Sequence, residues 1–233
     1  MKTSNKILLG IFLAIILLSA SINLMVYAKY KRGDYVPFQR EVEKMTTVNL
    51  PAARYVSITA LCSVEILNSP AASFEVKQGE EKSITYHMVG DTMVIQGNTS
   101  FTKEQMERGE CNYQLLKLHL PATTAVFANY ATARVNGSAD SAQAPSFNIN
   151  LGKNSTLILG NNEKEKKYFN QLLLSGDHSY LEMNEHLVVY DLSLKLINDS
   201  KFDSRKAELK SLKLDVDNKS VLILTGTSIK NLQ

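Results

Sequence analysis

From about residue 134 onwards the chain returns to one short pattern. Alternating apolar and polar residues lead to Asn or Asp, then one spacer, then Ser, and the alternation resumes. Arg134-Val135-Asn136-Gly137-Ser138, Ser175-Gly176-Asp177-His178-Ser179, Leu196-Ile197-Asn198-Asp199-Ser200 and Val216-Asp217-Asn218-Lys219-Ser220 carry it, and Leu151-Gly152-Lys153-Asn154-Ser155 is a looser copy. Successive serines stand 17, 24, 21 and 20 residues apart. Flanking segments keep a period of two: Phe147, Ile149 and Leu151; Leu192, Leu194 and Leu196; Leu212, Leu214 and Val216. A single strand–turn unit of this length cannot bury its apolar side alone, so such repeats gain a core by stacking. The pattern predicts an all-β chain, specifically a right-handed parallel β-helix or solenoid with rungs of about 20–24 residues. In that arrangement Asn136, Asp177, Asn198 and Asn218, with Ser138, Ser155, Ser179, Ser200 and Ser220, form a structural ladder of corners. Asn and Asp tolerate a left-handed backbone, and Ser bonds to nearby amides. A leucine-rich repeat fits less well, because the asparagine comes one residue late and the convex-side helix is missing.

Strand signals also fill the region upstream. Tyr55–Leu61, Ser63–Ile66, Phe74–Val76, Ser83–Tyr86 and Thr92–Ile95 are separated by Asn68-Ser69-Pro70, Gln78-Gly79 and Gly90-Asp91. Residues 99–111 are polar and read as an insertion or a one-turn helix, and Glu163–Lys167 as a solvated protruding turn.

A different signal occupies the N-terminus. Ile7–Ala28 contains no charged residue, and at about 1.5 Å per residue it reaches about 33 Å, enough for a bilayer core. It is long for a signal peptide, and Lys29-Tyr30-Lys31-Arg32 directly after it disfavours cleavage and export of a free chain. The expected organisation is a cytoplasmic tail (1–6), a transmembrane anchor or long signal sequence (7–28), a juxtamembrane linker (29–50) with a short helix around Gln39–Met45, and a β-helical head domain (51–233). Residues 1–32 hold five basic residues and no acid, so the remainder carries 21 basic against 23 acidic side chains. The pI of about 8.7 therefore describes membrane flanks rather than a nucleic-acid-binding face.

Ser63-Val64-Glu65-Ile66 through Gly97, then Leu116-Lys117-Leu118-His119-Leu120-Pro121, then segments ending in Gly-Ser and Asn-x-Ser, resemble the autotransporter adhesin head GIN domain family. This is a domain family of unknown function in Bacteroidetes envelope proteins, and the likeness covers about residues 52–226. Family members show Gly-Ser at most corners. Only Gly137-Ser138 keeps it here, which makes the chain a divergent member. The resemblance implies a parallel β-helix outside the inner membrane and brings no catalytic residues.

Cys62 and Cys111 either form a disulfide, closing a loop of about 50 residues for about 4 kcal/mol, or remain two buried thiols. His87, His119, His178 and His186 lack metal-site spacing, so no metal and no cofactor is expected. Asn98, Asn136, Asn154, Asn198 and Asn218 head Asn-x-Ser/Thr triplets, read as corner chemistry rather than glycosylation. Asp91-Thr92-Met93 and Asp140-Ser141-Ala142 match a short O-glycosylation pattern of Bacteroidetes periplasmic proteins. Tyr168, Tyr180 and Tyr190 with Lys195, Lys206, Lys210 and Lys213 are candidates for a recognition face.

The functional expectation is a membrane-anchored, non-catalytic protein of the bacterial inner membrane, with its C-terminal domain in the periplasm. It would serve scaffolding, adhesion-like contact or sensing, with the membrane and an envelope protein or polysaccharide as partners and no nucleic acid. One alternative is a polysaccharide-active β-helix enzyme using Asp177, Asp199, Asp203, Asp215 and Asp217. Another is a subunit of an inner-membrane complex, with Asn23 bonding a partner helix.

Overall fold

The computed structural model describes residues 3–32, 44–97, 101–111, 113, 115–161, 164–204 and 207–230. Two compact units emerge, Met1–Glu43 and Lys44–Gln233. In the first, α1 (Thr3–Arg32) is one continuous helix. Its Gly10–Lys29 stretch has a mean hydropathy of 2.3 and buries none of its surface, so it is long and apolar enough to cross a membrane. Asn23 Nδ2 donates to the Ser19 carbonyl at 2.9 Å, so this amide bonds within its own helix.

In the second unit the regular structure is mainly strand. In chain order these are β1 (Met45–Asn49), β2 (Tyr55–Thr59), β3 (Val64–Asn68), β4 (Ser73–Lys77), β5 (Ile84–Val89) and β6 (Thr92–Gly97). After the short helix α2 (Lys103–Glu107) come β7 (Leu116–Leu120), β8 (Ala125–Asn129), β9 (Thr132–Val135), β10 (Phe147–Leu151) and β11 (Ser155–Leu159). β12 (Lys167–Asp177), β13 (Ser179–Met183), β14 (Leu187–Ile197), β15 (Lys201–Asp203), β16 (Glu208–Leu209), β17 (Leu212–Val216), β18 (Val221–Ile223) and the helix α3 (Gly226–Lys230) complete the unit.

These strands form two nine-stranded sheets. Sheet I runs β1-β4-β7-β3-β9-β11-β13-β15-β18, and sheet II runs β16-β14-β12-β10-β8-β2-β6-β5 with β17 also on β14. This corrects the expectation of a right-handed parallel β-helix. The sheets are separate, neither closed nor curled, and both mix parallel with antiparallel pairs. β1 pairs β4, β4 pairs β7 and β5 pairs β6 in antiparallel fashion. The physical reason is plain at β5 and β6, joined only by Gly90-Asp91, with Gly90 at φ +60°. A two-residue connection permits nothing but an antiparallel hairpin. β1 also lies inside residues 29–50, read from sequence as linker. Its Thr46 and Val48 stand opposite Val76 and Phe74 of β4. Most of the helix expected around Gln39–Met45 falls outside the described residues, and Met45 opens a strand.

Alternation decides which side chains point inward. β7, β10, β11 and β13 each show buried residues at every second position. One continuous core draws on both sheets, with Phe74, Phe169 and Phe202 among its largest fully buried side chains. Burial of each such side chain contributes about 1.5–3 kcal/mol.

Candidate contact surfaces

At five turns where a strand of sheet II leads into sheet I, the chain enters the left-handed region, through one residue at four of them and through two at Asn198-Asp199, where Asp199 has φ 61°. The first such residues are Ala60 (φ 58°), Tyr130 (φ 51°), Asn154 (φ 49°), His178 (φ 52°) and Asn198 (φ 54°). Serines just after three of them are buried: Ser155, Ser179 and Ser200. Ser155 Oγ donates to the Ala128 carbonyl at 3.0 Å, and Ser200 Oγ donates to Ile197 O at 2.7 Å and accepts from Ser179 N at 3.3 Å. Ser155 and Ser179 stand directly opposite in the β11–β13 register. The next corner is made by Asp217, which accepts from the amides of Asn198, Lys219 and Ser220 at 2.8–3.1 Å. Those amides, Asn198's first, hold its carboxyl down at about 2. Asp177 accepts from Asn198 Nδ2 at 3.0 Å and contacts His178 Nδ1 at 2.6 Å, and these bonds also lower its pKa. Asn218 is exposed.

Asn136 and Ser138 do not join this column. They follow β9, at the opposite end of its sheet I strand, and the corner equivalent to Asn154-Ser155 is Tyr130-Ala131. The anomalous spacing of 17 between Ser138 and Ser155 was the signal of that offset. Ser138 instead exchanges backbone bonds with Tyr168, its N–H donating to Tyr168 O at 3.1 Å and its carbonyl accepting at 2.8 Å. The approach is close enough that a Cβ on Gly137 would lie 2.7 Å from Tyr168 O. That accounts for the one strict Gly-Ser.

Cys62 and Cys111 are joined in a disulfide with their Cα atoms 5.6 Å apart. It ties the start of β3 to the polar segment after α2. That helix carries a capping box: Thr102 Oγ1 accepts from Gln105 N and Gln105 Oε1 accepts from Thr102 N. Beside the disulfide, sheet I bears an open groove of about 270 Å³ lined by Cys62, Glu65, Arg134, Asn136, Ile158 and Asn161. Charge alternates across the strands there, with Glu75 opposite Lys117, Lys117 opposite Glu65 and Glu65 opposite Arg134. Asn136 Nδ2 donates to Glu65 Oε1 at 2.7 Å. Composition and spacing did not reveal this row, because it depends on which strands become neighbours.

The tyrosine and lysine set divides. Tyr168 and Tyr190 stack with ring centroids 6.4 Å apart and 14° between planes. Lys195 pairs with Asp215, and Lys210 with Glu208. Tyr180 lies in the other sheet, where Lys201 Nζ sits 5.4 Å over its ring. Lys206 and Asn98 lie outside the described residues. On sheet II, Tyr55 meets Phe127 at 5.9 Å, and Arg54 lies over the Tyr55 ring. Phe127 and Leu173 remain 38% and 39% exposed beside Asn150 and Ser175, which bond at 2.6 Å.

The five aspartates considered for catalysis do not converge. Asp177 and Asp217 cap turns, Asp199 is an exposed corner residue, Asp203 is buried on β15 and Asp215 pairs with Lys195 on β17. A lowered carboxyl pKa keeps Asp177 and Asp217 ionised, the opposite of what a proton donor at neutral pH needs. Among the described residues no group of three or more His, Cys, Asp and Glu could hold a metal ion. His119 contacts Glu75 at 3.3 Å, and His178 bonds to Asp177.

A solved structure described as a "putative adhesin" from Parabacteroides distasonis aligns with a TM-score of 0.50 at 11% identity, covering 77% of this chain and 72% of its own. The likeness is one of fold. A "putative lipid binding protein" from the same species (TM-score 0.35, 8% identity, 78% of this chain and 94% of its own) aligns less closely. A "putative adhesin" from Parabacteroides merdae does so too (TM-score 0.30, 6% identity, 78% and 95%). No family model and no curated protein matches the chain.

Proposed function

We propose that this protein is a membrane-anchored, non-catalytic envelope protein whose β domain makes adhesion-like contact with an extended partner, a polysaccharide or a strand of another envelope protein. The observation that carries this reading is the fold shared with the Parabacteroides distasonis protein described as an adhesin. The reading includes descent as a divergent relative of the autotransporter adhesin head GIN domain family. The α1 helix is the anchor, residues 1–6 face the cytoplasm and the β domain faces the periplasm. The Cys62–Cys111 bond supports that side of the membrane, since disulfides persist in oxidising compartments. Dispersal of the aspartates favours contact over polysaccharide cleavage.

The test is protease accessibility of the full chain in native cells, combined with crosslinking in intact membranes and mass spectrometry. The expected result is a β domain that resists protease in intact cells and is cut once the outer membrane is permeabilised, with the α1 segment left in the membrane pellet. A crosslinked envelope protein or retained polysaccharide should accompany it. Cleavage only after the inner membrane is opened would overturn the reading.

A further inference from the structure

Both sheets end on the same stretch of chain, and that end is unfinished. Inward columns that are fully covered one strand earlier become half-open. Leu214 and Val216 of β17 stand opposite Leu194 and Leu196, which are 1% and 0% exposed. Leu222 of β18 stands opposite Phe202, which is 0% exposed. Leu214, Val216, Leu222 and Leu224 are all only partly buried, and Val221 is 50% exposed. α3 lies beside β16, and among the described residues β17 and β18 are each paired along one side only, to β14 and β15. Single-sided strands expose alternate backbone donors and acceptors and invite a further strand.

β17 reads Leu212-Lys213-Leu214-Asp215-Val216, and this order is complementary to its own reverse. Two copies placed antiparallel about Leu214 bring Leu212 opposite Val216 and Leu214 opposite Leu214 on the inner side. On the outer side the same register sets Lys213 of each copy opposite Asp215 of the other. Lys213 and Asp215 are both exposed, and Asp215 is faced within its own chain by Lys195 at 2.9 Å. Opposite charges directly across an antiparallel pair stabilise it and like charges destabilise it. The β18 sequence Val221-Leu222-Ile223 is likewise apolar in both directions about its centre. A twofold arrangement repeats one patch on both subunits, which is the relation this sequence satisfies.

We infer that the C-terminal edge of the β domain is an interface for a second copy of the same chain, joined edge to edge by antiparallel pairing of β17 about Leu214. It would close the half-open columns at both sheet ends. This goes beyond the contact role proposed above and does not depend on it.

The test uses the full-length chain in mild detergent, treated with a zero-length carbodiimide that joins a lysine to a carboxylate. The expected product is a covalent dimer whose mass spectrum links Lys213 of a nitrogen-15-labelled chain to Asp215 of an unlabelled one. Lys213→Asp alone and Asp215→Lys alone each set like charges opposite one another and should raise the dimer dissociation constant, read by sedimentation without crosslinker, about tenfold, about 1.4 kcal/mol. Mixing the two differently tagged variants restores both opposite-charge pairs and should recover heterodimer at the native level. That recovery excludes misfolding as the cause of the single-variant loss. Absence of the Lys213–Asp215 link between chains overturns the inference, as does a dissociation constant indifferent to either substitution or failure of the mixed pair to recover. A link from Lys213 only to another protein, or only to groups of its own chain, overturns it too.

Discussion

The two ends of the β domain are held together by different means. At the end that includes β1, β4 and β5, strands add in antiparallel fashion, and the Cys62–Cys111 disulfide fastens α2's segment to the start of β3. At the other end every pair from β8 to β18 is parallel. Corners there are fixed by left-handed residues, buried serine hydroxyls and the carboxylates of Asp177 and Asp217. The first two corners of the column, Ala60-Leu61 and Tyr130-Ala131, have no Asn at the left-handed position and no Ser directly after it. Regular turns hold one end through many local hydrogen bonds, while the irregular end relies on hairpin geometry and one covalent tie.

The largest expected effect tests whether the core ignores this division. Phe74 belongs to the antiparallel end and Phe202 to the parallel end, and both are essentially fully buried. Phe74→Ala and Phe202→Ala should each lower the unfolding free energy by about 3–5 kcal/mol, read from urea titration. A loss confined to one of them would mean the two ends unfold separately.

The covalent tie comes next. Cys62→Ser with Cys111→Ser should cost about 4 kcal/mol on the chain-entropy argument. Amide exchange should accelerate at β3, β7 and α2 while β13 and β15 keep their protection. Uniform acceleration would place both ends in one cooperative block.

A smaller effect is expected at the serine corners. Ser200→Ala leaves the buried Ser179 amide without its hydroxyl acceptor, a loss of about 1–3 kcal/mol. Ser138→Ala, away from the column, should cost less, because the Ser138–Tyr168 bonds are made by backbone groups. Thermal melts of the two variants distinguish them.

Acid should sharpen the contrast further. The Asp217 carboxyl is held at about 2, below its ordinary 3.8, by the amides it accepts from. Its contribution is therefore complete above about pH 4 and is lost as pH falls towards 2. Urea midpoints measured from pH 5 to 2 should fall less steeply for Asp217→Ala than for the native chain. Exchange at low pH should quicken first at Asn198 and Ser220.

Many strands are legible as alternation, but β1 is not, because residues 29–50 read as linker. Leu212-Lys213-Leu214-Asp215-Val216 alternates and becomes β17, and Asn198 and Ser200 occupy the corner their types favour. Strand neighbours were not legible, because alternation states which face is buried and not which strand lies alongside. Hence alternation does not reveal the antiparallel edges at β4 and β5, although Gly90-Asp91 reads as a turn. The Glu75–Lys117–Glu65–Arg134 row stayed hidden for the same reason. Asn136 matches the corner pattern in sequence, yet Tyr130-Ala131, which resembles no Asn-x-Ser copy, holds the equivalent position. Sequence spacing alone left the cysteines undecided, because it does not fix a Cα separation.

Sheet I has β1 at one edge and β18 at the other, with seven strands between them. Eight steps at about 4.8 Å give a standoff of about 38 Å from the strand where the chain enters the sheet to the last one. Each strand interposed lengthens that reach by a fixed increment, so the sheet works as a graduated strut. Deleting one corner-to-corner repeat would shorten it by one step and leave both edges in character.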